Sequence, residues 1–362
     1  MPRWIVLALA LMAPVAAADP GIDFEHHDWL LACDNTGTCR AAGYQSEAAT
    51  LPVSVLLTRH AGPGQPVNAV VQIGEAWDAS EPSAGPAFPL SLRIDGRDLG
   101  TVAAGNGDLV SGTLSPAQTA ALLEALARDS RIEWTSADGK VHVLSDRGAA
   151  AVLLKMDEAQ GRVGTRGALL RPGTRDESAV PPSRPLPVVR APATDDTDIV
   201  LPPGERAALV RELKAQLEPD ACPDLSSGPD AEADEDAERL AVTGLSHGKR
   251  LASLPCWLAA YNAGSAYWVI DADAPYRPVL VTTNGSGYGG GRIDASHKGR
   301  GLGDCWSSRG WTWDGVAFVV SHEQTSGLCR GFPGGAWTLP TRVSDVRAGA
   351  SAAAPAAHGD EG

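Results

Sequence analysis

The residues most suggestive of chemistry lie between Asn284 and Asp304, where eight of 21 positions are glycine and Arg292, His297, Lys298 and Arg300 add positive charge. Backbone N–H groups bared by glycine, together with such cations, are the parts of a small-anion site for a carboxylate or phosphate. Those four residues are therefore the candidate ligand contacts of a glycine-rich loop. The commoner use of such glycines is conformational, letting strands turn sharply or cross closely. Gly285, Gly287 and Gly290 also fit the G-x-G-x-x-G spacing of dinucleotide-binding turns. A strand rather than a helix is expected after them, so no helix N-terminus is available to receive a pyrophosphate. No cofactor is expected.

Other clusters carry less. Trp257, Trp268, Trp306, Trp311, Trp313 and Trp337 fall close together in the chain. On one exposed face they would form a platform for sugar rings or apolar peptide, whereas in a small disulfide-bonded sheet they would pack the core. Ser246-His247-Gly248-Lys249 matches S-x-x-K without the partner motifs that make it catalytic. His26, His27 and Asp28, or His322 with Glu323, are adjacent in sequence, and neighbours on a strand point to opposite faces, so no metal site is expected there. Between Asp230 and Glu238 six of nine residues are acidic. The run lacks the turn glycine and closing glutamate of a calcium loop, and a solvated loop is expected.

Cysteine usage points to an oxidising compartment. Six cysteines (Cys33, Cys39, Cys222, Cys256, Cys305, Cys329) have no zinc-knuckle spacing. Their number does not determine their connectivity. Sequence neighbourhood suggests Cys33 with Cys39, Cys222 with Cys256, and Cys305 with Cys329. The chain opens with Arg3, an apolar run from Ile5 to Met12, and the small residues Ala16, Ala17 and Ala18. That order is expected of a signal peptide over residues 1–18, cleaved after Ala18, and hence of a periplasmic protein. No later stretch is apolar enough to span a membrane as a helix of about 20 residues. A formal charge of −14 argues against nucleic acid and anionic membrane surfaces as partners.

These groups must be positioned by a mainly β chain. Between Arg171 and Pro203 eight prolines appear, a composition that runs extended and builds no core. It separates an N-terminal domain, 19–170, from a C-terminal one, 204–345, with a disordered tail expected over 346–362. In the first, strand-like runs at Val53 to Leu57, Val67 to Ile73 and Leu90 to Ile94 accompany two helices. One is opened by a capping box at Ser115 and Gln118, and the other carries Val152, Leu153 and Met156 and stops near Gly161. A β-sandwich with two short packed helices is expected. In the second, a helix over Glu205 to Leu217 precedes an antiparallel β domain. Its clearest hairpin is Trp313-Asp314-Gly315-Val316.

Five segments carry a resemblance: CDNTGTCRAAGYQ from Cys33, LLKMDEAQGRVGT from Leu153, NGSGYGGGRIDASHKGRGLGDCW from Asn284, WTWDG from Trp311 and CRGFPGGAW from Cys329. Together they resemble a family of exported proteobacterial proteins catalogued as domain of unknown function 1176, from about Glu25 to Val343. The resemblance implies topology and compartment and supplies no activity. The N-terminal half is also loosely similar to the invasion-associated locus B family through Trp29, the Cys33 and Cys39 pair and a strand ending in Arg-Ile-Asp-Gly. By analogy that likeness implies a binding role. With no catalytic constellation in view, the expected function is non-enzymatic binding at the cell envelope, with an envelope protein or cell-wall component as partner. The competing expectation is a hydrolase or transferase using Asp294, His297, Lys298 or Asp304 on the glycine-rich segment 284–304.

Overall fold

Apolar residues at every second position fold the N-terminal half into two antiparallel sheets around one core. The computed structural model describes residues 21–74, 89–102, 110–225 and 233–349. The expected signal segment and residues 350–362 of the expected tail lie outside them, as do residues 230–232 of the acidic run. Strands β1 (Ile22–His26), β2 (Trp29–Cys33), β3 (Cys39–Tyr44), β4 (Val53–Arg59) and β5 (Val67–Ile73) pair in chain order. Next come β6 (Leu90–Ile94) and β7 (Arg97–Val102) of a second sheet, after which β8 (Val110–Thr113) returns to pair with β5.

Helix α1 (Pro116–Leu126) starts as its sequence requires: Gln118 N–H donates to Ser115 Oγ at 3.3 Å, and Ser115 N–H donates to Gln118 Oε1 at 2.9 Å. Strands β9 (Ile132–Thr135) and β10 (Val141–Leu144) complete the second sheet, and α2 (Ala149–Ala159) follows. Gly148 precedes α2 with φ of 97°, and a Cβ there would lie 1.9 Å from the His26 carbonyl oxygen. Val55, Leu57 and Val71 of the first sheet meet Leu90, Leu92 and Trp134 of the second, with Leu122 of α1 and Met156 of α2 filling the same core.

The proline-rich segment is extended as its composition demands, but it is strapped to the N-terminal half. Arg162, fully buried, donates to Glu177 Oε1 at 2.8 Å and to the Gly62 carbonyl at 2.5 Å. Arg184 N–H donates to the Thr36 carbonyl at 3.0 Å, and Val188–Ala191 forms β11.

In the C-terminal half α3 (Pro203–Lys214) packs against α4 (Ala233–Arg239). The expected solvated acidic loop is thus corrected over its second part. Helix formation lets Asp236 and Ala237 turn inward, and Lys214 pairs with Asp236 at 2.8 Å. A four-stranded sheet follows, β12 (Ala241–Gly244), β13 (Lys249–Leu258), β14 (Ala263–Asp271) and β15 (Val279–Gly285). Its period of two divides its residues between two cores. Ala252, Leu254 and Trp268 face the helices, whereas Leu251, Tyr267 and Val269 face a second sheet.

That second sheet runs β16 (Gly287–Gly289), β17 (Arg292–Lys298), β18 (Trp306–Trp313), β19 (Phe318–Thr325) and β20 (Leu339–Arg342). The β18–β19 turn is the one expected: Gly315 has φ of 98°, and Asp314 Oδ1 accepts from the N–H groups of Val316 and Ala317 at 2.8 Å. The glycine-rich segment 284–304 is mostly strand, which corrects its reading as a loop. Gly290 and Gly291, both at positive φ, form the tight β16–β17 turn.

Finally β21 (Asp345–Ala348) pairs in parallel with β11. Residues 346–348 of the expected disordered tail are therefore ordered, because the proline-rich segment offers them an edge. The three disulfides join Cys33 to Cys39, Cys222 to Cys256 and Cys305 to Cys329. The halves do not merely adjoin: Leu30, Ala32 and Tyr44 share a buried cluster with Phe332, Ala336 and Leu339.

Candidate binding site

Alternation along β17 directs Ile293, Ala295 and His297 to one face and Arg292, Asp294 and Lys298 to the other. Register then adds neighbours to the first face: His297 lies opposite Ser307, Ala295 opposite Arg309, and Arg309 opposite Glu323. At one end this face is covered by the four-stranded sheet, through Ile293, Trp311 and Trp313 against Leu251 and Tyr267. At the other end it is uncovered and polar. Gly21 and Asp23 from the N-terminal half close over it, with Arg342 of β20 at the rim, to make a cleft of about 470 Å³.

The approach of β1 depends on Gly21. A Cβ there would lie 2.0 Å from the Thr341 carbonyl oxygen, so any other residue would push Asp23 away from the sheet. Burial, with the Glu323 charge adding to it, raises the pKa of Asp23 above the ordinary carboxylate value. Glu323 is shared with Arg309 at 3.5 Å, whose guanidinium lies 5.5 Å from the centre of the Trp311 ring. Arg342 makes no ion pair among the described residues. The His297 ring is tilted at 43° against Trp257, centroids 5.3 Å apart, and its Nε2 is buried without a hydrogen-bond partner among the described residues. Trp257 is fixed in turn by donating to the Thr283 carbonyl and to Asn284 Oδ1, both at 3.1 Å. The cleft therefore offers carboxylates, guanidinium groups and an imidazole within one enclosure.

Of the four residues expected to form an anion site, only His297 enters this cleft. Arg292 projects from the opposite face and is occupied by Asp294 at 2.8 Å and His322 Nδ1 at 3.0 Å. Lys298 lies against the Trp306 ring at 5.4 Å. Arg300 grips Asp304, which also accepts from Gly331 N–H at 2.7 Å. Although burial opposes it, the Arg300 and Gly331 contacts hold the Asp304 carboxyl below its ordinary range. The expected anion site is thus not assembled: strand alternation separates His297 from its neighbours, and six residues of strand place Arg292 about 20 Å from Lys298. The same alternation separates Asp294 from His297, so the constellation expected of a hydrolase is not gathered either.

The remaining motifs take structural parts. Asp28 accepts from Ser145 and Arg330, and Ser246 Oγ accepts from the Trp313 indole N–H at 2.8 Å. Trp268, Trp311 and Trp313 are buried in the cores, whereas Trp257, Trp306 and Trp337 are half-buried. Asp23, Arg309, Glu323 and Arg342 were not legible as site residues. Their spacing matches strand alternation, but nothing local says which strands are neighbours.

A family model described as Protein of unknown function (DUF1176) matches residues 23–344. The chain belongs to this family. The matched span begins at Asp23 and passes Arg342, so it takes in both halves and every lining residue of the cleft except Gly21. A protein of Escherichia coli (strain K12) named Uncharacterized protein YpfG is 26% identical over 333 residues, covering 85% of this chain and 88% of that protein. No solved structure matches. The looser likeness to the invasion-associated locus B family is not shown by these comparisons.

Proposed function

We propose that this protein is a periplasmic binding module of the cell envelope that holds a small ligand carrying both a cationic and an anionic group. One observation carries the reading: Asp23 and Glu323, Arg309 and Arg342, and His297 converge on one cleft between the halves. Asp23 and Glu323 suit an ammonium group, and Arg342, free of an ion pair among the described residues, suits a carboxylate by a forked pair of hydrogen bonds. Short peptides of the cell wall have this chemistry. The disulfides and the signal-like first 18 residues support export.

Native mass spectrometry of the mature protein from its own periplasm, beside an Arg342→Ala variant, tests the reading. A bound small mass that is released on denaturation and missing from the variant is the expected result. A bare monomer mass for the wild type in every preparation overturns it.

A further inference from the structure

Behind the cleft, on the opposite face of the same five-stranded sheet, lies a second groove of about 490 Å³ between β17–β19 and the loop from Gly334 to Thr338. No charged side chain lines it. Its aromatic walls are Trp306 and Trp337, and both indole N–H groups are already engaged: Trp306 donates to the Gly303 carbonyl at 2.9 Å, and Trp337 donates to Ser54 Oγ at 2.7 Å. The rings are therefore locked, and what remains for a ligand is the apolar surface of Trp337 and the part of the Trp306 ring that Lys298 does not cover.

The polar lining is complementary to this. The hydroxyls of Ser296, Ser308 and Thr338 and the side-chain amide of Gln324 have no protein partner among the described residues. Such groups both donate and accept, and they carry no charge to discriminate against a neutral ligand. The loop can lie this close because position 335 is glycine: a Cβ there would fall 2.0 Å from Ser326 Oγ, the atom that accepts the Trp306 backbone N–H at 2.8 Å.

We infer that this groove is a binding site for a neutral saccharide. Locked indole surfaces match the C–H faces of a pyranose, and free hydroxyl and amide groups match its hydroxyls. The one cation at its aromatic walls is Lys298, which lies 5.4 Å from the centre of the Trp306 ring, so a free phosphate or carboxylate finds little counter-charge among the lining residues. The groove shares Ser308, Gln324 and Thr325 with the walls of the charged cleft, and its other lining residues, Trp306 and Trp337 among them, are its own.

Titration of the mature protein with chitotriose, followed by tryptophan fluorescence and by calorimetry, tests the inference with an uncharged probe. Saturable binding is expected, with affinity lowered at least about tenfold in Trp306→Ala, a change equivalent to 1.4 kcal/mol. Ser296→Phe, at an exposed strand position, fills the groove without disturbing a core and should abolish binding. It decides the matter should Trp306→Ala fail to fold. Absence of saturable binding to chitotriose, or binding unchanged in a folded Ser296→Phe, overturns the inference. Because the probe carries no charge, either result is read independently of the mass-spectrometric test of the cleft.

Discussion

Trp257 stands directly across from Gly264 in the β13–β14 pair, and a Cβ at position 264 would lie 2.2 Å from the indole Nε1. The ring fills the space that glycine leaves and reaches Asn284 and His297 at the edge of the cleft. The same arrangement recurs where Gly43 faces Trp29 and where Gly310 faces His322. Glycine opposite a large ring is thus how these sheets seat aromatic groups flat on their surfaces.

Gly264→Ala should consequently destabilise the fold by about 1–3 kcal/mol, the usual range for forced overpacking. It should also move Trp257 off Asn284, read as a changed indole signal in near-ultraviolet circular dichroism. An unaltered spectrum and unfolding midpoint would show that the ring is not held by this pairing.

Asp28 and Arg330 join the halves at 2.8 Å and are both largely buried. Removing one partner of such a pair leaves the other charge uncompensated and costs about 3–5 kcal/mol. Asp28→Ala should show that loss in urea unfolding at neutral pH. A loss below about 1 kcal/mol, the worth of an exposed pair, would mean that the halves are held by their apolar cluster alone.

Acid should loosen the strap of the proline-rich segment. Burial opposes ionisation of Glu177, but the Gly64 N–H and Arg162 outweigh it and hold its carboxyl below the ordinary 4.5. Its contribution to stability is therefore complete above that value and is lost as pH falls through the lowered one. Asp157, in the same cluster, is raised above 3.8 by burial and acts in the opposite sense, its contribution fading as pH rises. Glu177→Gln should flatten the decline in unfolding midpoint below pH 4.5; a decline identical to wild type would remove Glu177 from the acid response.

Binding of a cationic ligand in the cleft should depend on Asp23. Its carboxyl titrates above 3.8 because burial and then Glu323 disfavour the charge, so affinity should rise with pH through that raised value. Asp23→Asn should remove this step from the affinity profile of any ligand identified by mass spectrometry. A pH step that persists in the variant would move the titrating group elsewhere in the cleft.

Local chemistry was legible in the sequence because it acts over a few residues. The capping box at Ser115 does open α1, Gly161 follows the end of α2, and the Asp314-Gly315 turn joins β18 to β19. The mainly β character and the disulfide pairs are likewise visible in alternation and in the neighbourhood of the cysteines. Contacts between distant segments were not legible. Nothing in the residues around Asp23 or Arg342 says that they meet, since the pairing that unites them depends on the whole packing of both halves. Alternation in β17 was readable from the sequence, yet reading 284–304 as a loop concealed it and gathered Arg292, His297, Lys298 and Arg300 into one site.

What the sequence by itself determined about this protein is therefore its β-rich class, several of its turns and caps, and its family. Only the tertiary structure decided which faces meet: a strand's period of two sorts side chains to opposite sides without saying which side will be covered. That choice is made when one sheet buries its apolar end against another and leaves the polar end, with His297, Arg309 and Glu323, open beneath Asp23.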